Sequence, residues 1–160
     1  MTSIVEFDLR IAVAADLDAC VAVQRASTVV GYAHIFDQAI YAFPAQVVSD
    51  EWTERLQGKT SVTIAMLDHA PVGVVGSIDD SLEALFVVPE QWNRRIASQL
   101  HDHALAQIVS RGHSRATLDV LAANTRARGF YERRGWLLQG QSRPTGWPPY
   151  PELVSYSRDL

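Results

Sequence analysis

The sequence predicts an α/β fold of one domain, with helices packed on a mixed sheet. Three observations carry this. The 160 residues are 48% hydrophobic and 20% charged, an ordinary globular composition in a chain long enough for a core without disulfides or metal. Short β-rich runs alternate with longer amphipathic stretches. The unit from Leu82 to Leu121 reads strand, basic turn, helix, strand, a crossover whose two strands are parallel or nearly so.

Taken in order, Val5 to Val13 alternates apolar and polar residues and reads as an opening strand. Asp16 starts a helix, with Leu17, Cys20, Val21 and Gln24 on one stripe and Gly31 as its stop. Tyr32 to Phe36 is aromatic and reads either as a pocket cover or as a packed connection. Pro44 to Leu56 is helical, because Val48, Trp52 and Leu56 recur every four residues before Gly58. Ser61–Leu67 and Val72–Ile78 form a hairpin, with Asp68, His69 and Pro71 supplying the turn. Asp79-Asp80 is a second turn, and Leu82–Val88 a strand ended by Pro89. Leu100, Ala104 and Ile108 mark a helix from Ile96 to near Gly112. Ala116–Leu121 is a strand, Thr125–Arg134 a short helix closed by Gly135. Trp136–Gln141 and Leu153–Ser157 pair as a terminal hairpin across a proline-rich loop.

Composition excludes several functions. No run approaches the roughly 20 apolar residues of a membrane span, and Glu6 and Asp8 interrupt any leader-like pattern in Met1–Arg10. The single cysteine, Cys20, lies on an apolar helical stripe as a buried small hydrophobe and suits a reducing cytoplasm. His101 and His103 project about 200° apart on their helix and cannot chelate one metal; no metal is expected. No serine has a nucleophile-elbow context.

Net charge is −4, yet residues 86–136 carry eight arginines against four acids, leaving the remainder at −8. An isoelectric point near 5.7 argues against nucleic acid as a partner. A basic segment in an acidic chain suits a small polyanionic ligand, or else the arginines simply solvate two helices. The acidic remainder suits a site that welcomes a cation.

The turn Pro89 to Ser98, between strand and helix, aims backbone N–H groups and a positive dipole end at one spot, where phosphate oxygens bind well. Arg94 and Arg95 add charge. Three pieces then resemble the GNAT superfamily of acetyl-CoA-dependent N-acetyltransferases. The strand Leu82-Glu83-Ala84-Leu85-Phe86-Val87-Val88-Pro89 is similar to that family's central strand. Trp92-Asn93-Arg94-Arg95-Ile96-Ala97 stands in the place of its Gln/Arg-x-x-Gly-x-Gly/Ala loop, with Trp92 where Gln or Arg is usual and Arg95 where the first glycine is usual. Leu118-Asp119-Val120 with Asn124, Ala127-Arg128, Phe130-Tyr131-Glu132 and Gly135-Trp136 follows its later motif.

The resemblance implies a single acyltransferase domain over residues 1–160, with a mixed, mostly antiparallel central sheet flanked by helices. It implies acetyl-CoA as co-substrate and a small-molecule or peptide amine as acceptor. Backbone groups of Phe86, Val87 and Val88 would hold the pantetheine arm. Those of Arg94, Arg95, Ile96, Ala97 and Ser98 would hold the pyrophosphate, Arg95 donating its N–H from helical dihedrals. Asn124 would bond the pantetheine or a water, and Tyr131 would protonate the departing thiolate. Direct attack needs no enzyme nucleophile. Glu83 is either the base that relieves the amine of its proton or a solvated strand residue. The acceptor would meet Gln24 to Phe36, the hairpin near Asp79 and the loop Arg143–Pro151, where Trp147 and Tyr150 can close over it. A homodimer through the terminal strand or first helices fits the pattern. The competing reading is a non-catalytic acyl-CoA-binding domain, motivated by Arg95.

Overall fold

A computed structural model describes residues 6–160. Its seven-stranded sheet runs β1 (Asp8–Ile11), β2 (Ser61–Leu67), β3 (Ala70–Ile78), β4 (Ser81–Val87), β5 (Arg115–Leu121), β7 (Glu152–Asp159), β6 (Leu137–Pro144) in spatial order. Every neighbouring pair is antiparallel except β4 with β5. Helices α1 (Leu17–Gly31) and α2 (Ala45–Gln57) cover one face, and α3 (Ile96–Ser110) the other; α4 (Thr125–Glu132) follows β5.

The central strands read as continuous apolar runs because both faces are covered. Side chains alternate between two cores: Val62, Ile64, Val74 and Ala84 join Cys20, Val23, Val48 and Trp52. Ala65, Val75, Leu85 and Val87 turn toward Ile96, Leu100, Ile108, Trp136 and Tyr156.

The helices match the expected spans to within two or three residues. The opening strand is shorter, Asp8–Ile11 rather than Val5–Val13, and Val5 lies outside the described residues. Beyond Ile11 the Asp16 carboxylate accepts the Val13 N–H at 2.8 Å and pairs bidentately with Arg10 at 2.8 and 2.9 Å, pulling the chain into α1. The β2–β3 turn is tighter than expected. Asp68 and His69 alone make it, both at positive φ (48° and 65°), the geometry a two-residue hairpin demands. Pro71 belongs to β3 opposite Met66, next to the hydrogen-bonded Leu67–Ala70 pair that closes the turn, a position where β2 needs no N–H from it.

The parallel contact decides the molecule's shape. Strands β4 and β5 are in register only at Ser81 and Thr117, with the Thr117 N–H on the Asp80 carbonyl at 2.9 Å. Beyond that point they separate, so the sheet splits into a V open at their C-terminal ends. A bulge contributes: Ala84 faces Gly76 but Leu82 faces Ser77, which makes Glu83 the extra residue of β4 and increases local twist.

Gly73 brings β3 close beneath α3. A Cβ there would meet Leu100 Cδ1 at 2.8 Å and Ile96 Cγ2 at 3.2 Å, both on fully packed side chains. Gly73→Ala should therefore cost about 1–3 kcal/mol through overpacking. Gly76→Ala, whose nearest neighbour is 3.4 Å away, should cost less. Urea unfolding of the two variants checks the order.

Candidate active site

The open V holds a cavity of about 430 Å³, bounded by the C-terminal ends of α1 and β4, the β4–α3 turn and α4. Of the residues singled out by sequence, Phe86, Val87, Arg94, Arg95, Ala97, Ser98, Asn124 and Tyr131 line it together. Val88, Ile96 and Glu83 do not.

The lip formed by β4 differs from the expectation in phase. Val88 donates its N–H to the Val72 carbonyl at 2.9 Å and accepts from the Gln91 N–H at 3.0 Å. That pair is therefore of the hydrogen-bonded kind, and so is Val74 with Phe86, two residues along in unbroken register. The backbone groups of Phe86 and Val88 face β3 and are engaged. Those of Leu85 and Val87 point into the gap. Of the expected three, Val87 alone directs its backbone groups into the gap, and Leu85, which the sequence does not single out, does the same.

The β4–α3 turn contains two left-handed residues, Asn93 (φ 61°) and Arg95 (φ 67°, ψ −3°). Helical dihedrals at Arg95 are thus corrected: the position has the conformation glycine favours, and an arginine holds it at a cost of roughly 1–2 kcal/mol. No side chain caps α3, and the first bond into its ladder is Gln99 N–H to the Arg95 carbonyl at 3.0 Å. The N–H groups of Ile96, Ala97 and Ser98 have no acceptor within the helix. Ile96 contributes backbone alone, since its side chain is 1% exposed in the core.

Five arginines line the cavity, at 94, 95, 126, 133 and 134, and no carboxylate does. Burial lowers the pKa of the Arg126 and Arg134 guanidiniums, with Asp102 opposing and Arg133 reinforcing the shift at Arg134. Arg126 lies in the first turn of α4, and Arg133 and Arg134 follow directly after its last residue. Trp92 crosses the mouth. Its Nε1 donates to the Val87 carbonyl at 2.8 Å, its ring packs near Gly31, and the Arg126 guanidinium lies 3.4 Å from its centroid.

Asn124 caps α4, its Oδ1 accepting the Ala127 N–H at 3.2 Å. Tyr131, 8% exposed, is caged by Phe130, His101 and Trp136 with ring centroids 5.3, 6.4 and 5.8 Å away. Burial raises its phenol pKa, with Tyr32 across the cavity adding to the shift, so the group remains a proton donor at neutral pH. Burial likewise raises the Tyr32 phenol, with the Asn124 side chain acting in the opposite sense. From behind, Arg128 donates to Tyr156 Oη at 2.9 Å and Tyr156 donates to Glu132 at 2.6 Å, fixing α4 to β7.

Glu83 lies elsewhere. Its Oε2 is 3.5 Å from Arg55 Nε on α2. The Asp79 turn is also remote: its carbonyl accepts from Arg111 at 3.1 Å, beyond the C-terminal end of α3 and opposite the cavity. No group of His, Cys, Asp and Glu suited to a metal occurs among the described residues.

The Tyr131 cage rests on a neutral histidine. Trp136 donates Nε1–H to His101 Nε2 at 2.9 Å, so the His101 proton sits on Nδ1 facing Asp102 at 2.9 Å. That contact has ion-pair distance, but burial outweighs Asp102 and lowers the imidazole pKa below 6.5, with Arg158 and Arg134 acting in the same sense. Below that pH the unfolded chain binds more protons than the folded one. Stability is therefore complete above about pH 6.5 and declines as pH falls through the folded value. The urea midpoint should drop between about pH 7.5 and pH 5.5. His101→Gln, which still accepts from Trp136 and cannot titrate, should flatten that drop.

The chain matches the model of the acetyltransferase (GNAT) family over residues 33–136. It is 33% identical over 124 residues to the uncharacterized N-acetyltransferase YafP of Escherichia coli K12, covering 78% of this chain and 76% of that protein. Among solved structures, a GCN5-related N-acetyltransferase from Rhodopseudomonas palustris superposes with a TM-score of 0.84 at 22% identity, over 100% of this chain and 99% of that one. PaiA N-acetyltransferase from Thermoplasma acidophilum, in complex with coenzyme A, superposes at 0.72 with 18% identity, over 94% and 98%. These two likenesses bear on fold.

Proposed function

The chain belongs to the GNAT acetyltransferase family, and from that premise we propose that residues 1–160 form one N-acetyltransferase domain moving acetyl from acetyl-CoA to a primary amine. One observation carries the reading. The uncapped N-terminus of α3, the free strand edge of β4 and the buried Tyr131 converge on a single arginine-lined cavity. A phosphate-bearing nucleotide with an extended, amide-containing arm fits that donor set.

In this reading the N–H groups of Ile96, Ala97 and Ser98 hold the pyrophosphate, with Arg94, Arg95 and Arg126 as counter-charge. The pantetheine arm adds to β4 as a short strand through Leu85 and Val87. The Val87 N–H polarises the thioester carbonyl, where negative charge gathers as the amine attacks. The new C–N bond forms as the C–S bond breaks, and Tyr131 gives its proton to the leaving thiolate. The amine's own proton leaves to water, because Glu83 faces Arg55 on α2. A cytoplasmic setting accords with the free, buried Cys20 and with the absence, among the described residues, of any helix long and apolar enough to cross a membrane.

Arg95 in a left-handed position favours one alternative, an acyl-CoA-binding domain without turnover. Calorimetric titration with acetyl-CoA, CoA and ATP comes first. Micromolar binding of both CoA species, about −8 kcal/mol, with ATP much weaker is the expected result; no binding by either would overturn the reading. Thiol release then separates enzyme from binder. Tyr131→Phe should lower kcat roughly 10²–10⁴-fold with CoA affinity nearly unchanged. Glu83→Gln should leave kcat and its pH profile close to wild type, whereas a loss comparable to that of Tyr131→Phe would restore Glu83 as the base.

A further inference from the structure

We infer that the accepted amine is carried on a flat, apolar group and bears no second positive charge. The inference rests on the acetyl-transfer reading and concerns the part of the site beyond the thioester. Tyr32, on the cavity wall, begins a row of aromatic rings that leads outward. Its ring lies 6.1 Å from Phe36, which lies 6.5 Å from Tyr41 and 5.6 Å from Trp147. The row joins residues 32–44, the strap between α1 and α2, to residues 145–151, the loop between β6 and β7. His34 holds the strap in place through the Ala123 carbonyl at 2.7 Å. Trp147 and Tyr150 remain 48% and 59% exposed, leaving ring faces for a ligand to cover.

Charge on these two segments is nearly absent. Residues 145–151 carry no ionisable side chain except the Tyr150 phenol, and residues 32–44 carry one carboxylate, Asp37, whose Oδ1 accepts the Ala39 N–H at 2.9 Å. A further ammonium of a polyamine or aminoglycoside, once desolvated, needs a carboxylate partner. These two segments offer only Asp37, and none lines the cavity. The acidic excess of the whole chain is therefore not concentrated on these two segments, where Asp37 is the one carboxylate.

The test uses the wild-type protein with saturating acetyl-CoA and thiol release as readout, against 2-phenylethylamine and tyramine on one side and spermidine and kanamycin on the other. The aromatic monoamines should exceed the polycations in kcat/KM by roughly tenfold or more, the scale of a well-filled apolar pocket. Trp147→Ala, a change at an exposed loop residue, should raise KM for tyramine several-fold while the calorimetric Kd for CoA stays the same. Preference for spermidine or kanamycin, an unchanged tyramine KM in Trp147→Ala, or turnover of none of the four amines by a protein that binds CoA would each overturn the inference alone. Failure to bind CoA at all would remove it together with the acetyl-transfer reading, and calorimetry tells these cases apart.

Discussion

A single parallel contact governs this molecule. Strands β4 and β5 share one register pair, Ser81 with Thr117, and then part. Had they stayed paired, the polar groups of Leu85 and Val87 would bond β5 and the sheet would be closed. Because they part, buried backbone donors and acceptors face a gap, which is costly unless water or a ligand meets them. The bulge at Glu83 helps turn β4 away, and the β5–β7 ladder holds the other arm along its full length.

Each arm of the V brings its own chemistry. The β4 arm ends in a turn with two left-handed residues and an uncapped helix, which presents N–H groups and dipole to one point. The β5 arm ends in α4, which together with the turn after it brings Arg126, Phe130, Tyr131, Arg133 and Arg134 to the cavity. The arginines lack carboxylate partners there, so their charge is available to an anion. Tyr131 lies deepest, its acidity suppressed by burial and its orientation set by Phe130, His101 and Trp136.

Backbone strain and a bridging indole mark where this chain departs from its family's loop. Arg95 adopts a conformation that glycine would adopt freely, so the turn's geometry persists without the usual residue. Trp92 joins the two arms through Val87 and Arg126. Its indole already engages the Val87 carbonyl and the Arg126 guanidinium, two groups of the cavity wall.

Local pattern alone determined much of this protein. Helical stripes such as Val48, Trp52 and Leu56, the apolar runs of β2 to β5 and the Gly and Pro stops placed nearly every element, because period and turn chemistry are properties of neighbouring residues. The basic turn before α3 pointed to the cavity by its turn chemistry, and the motif from Asn124 to Trp136 by its resemblance to the family. What no local pattern contains is which way a backbone group points. Val87 and Leu85, rather than Phe86 and Val88, face the gap because the β3 register sets the hydrogen-bond phase. Glu83 meets Arg55, and Tyr32 meets Asn124, across distances in sequence that only packing closes. Even the Asp68-His69 turn drew its tightness from the strands it joins. Sequence period selects elements; the register between strands decides which of their atoms reach the site.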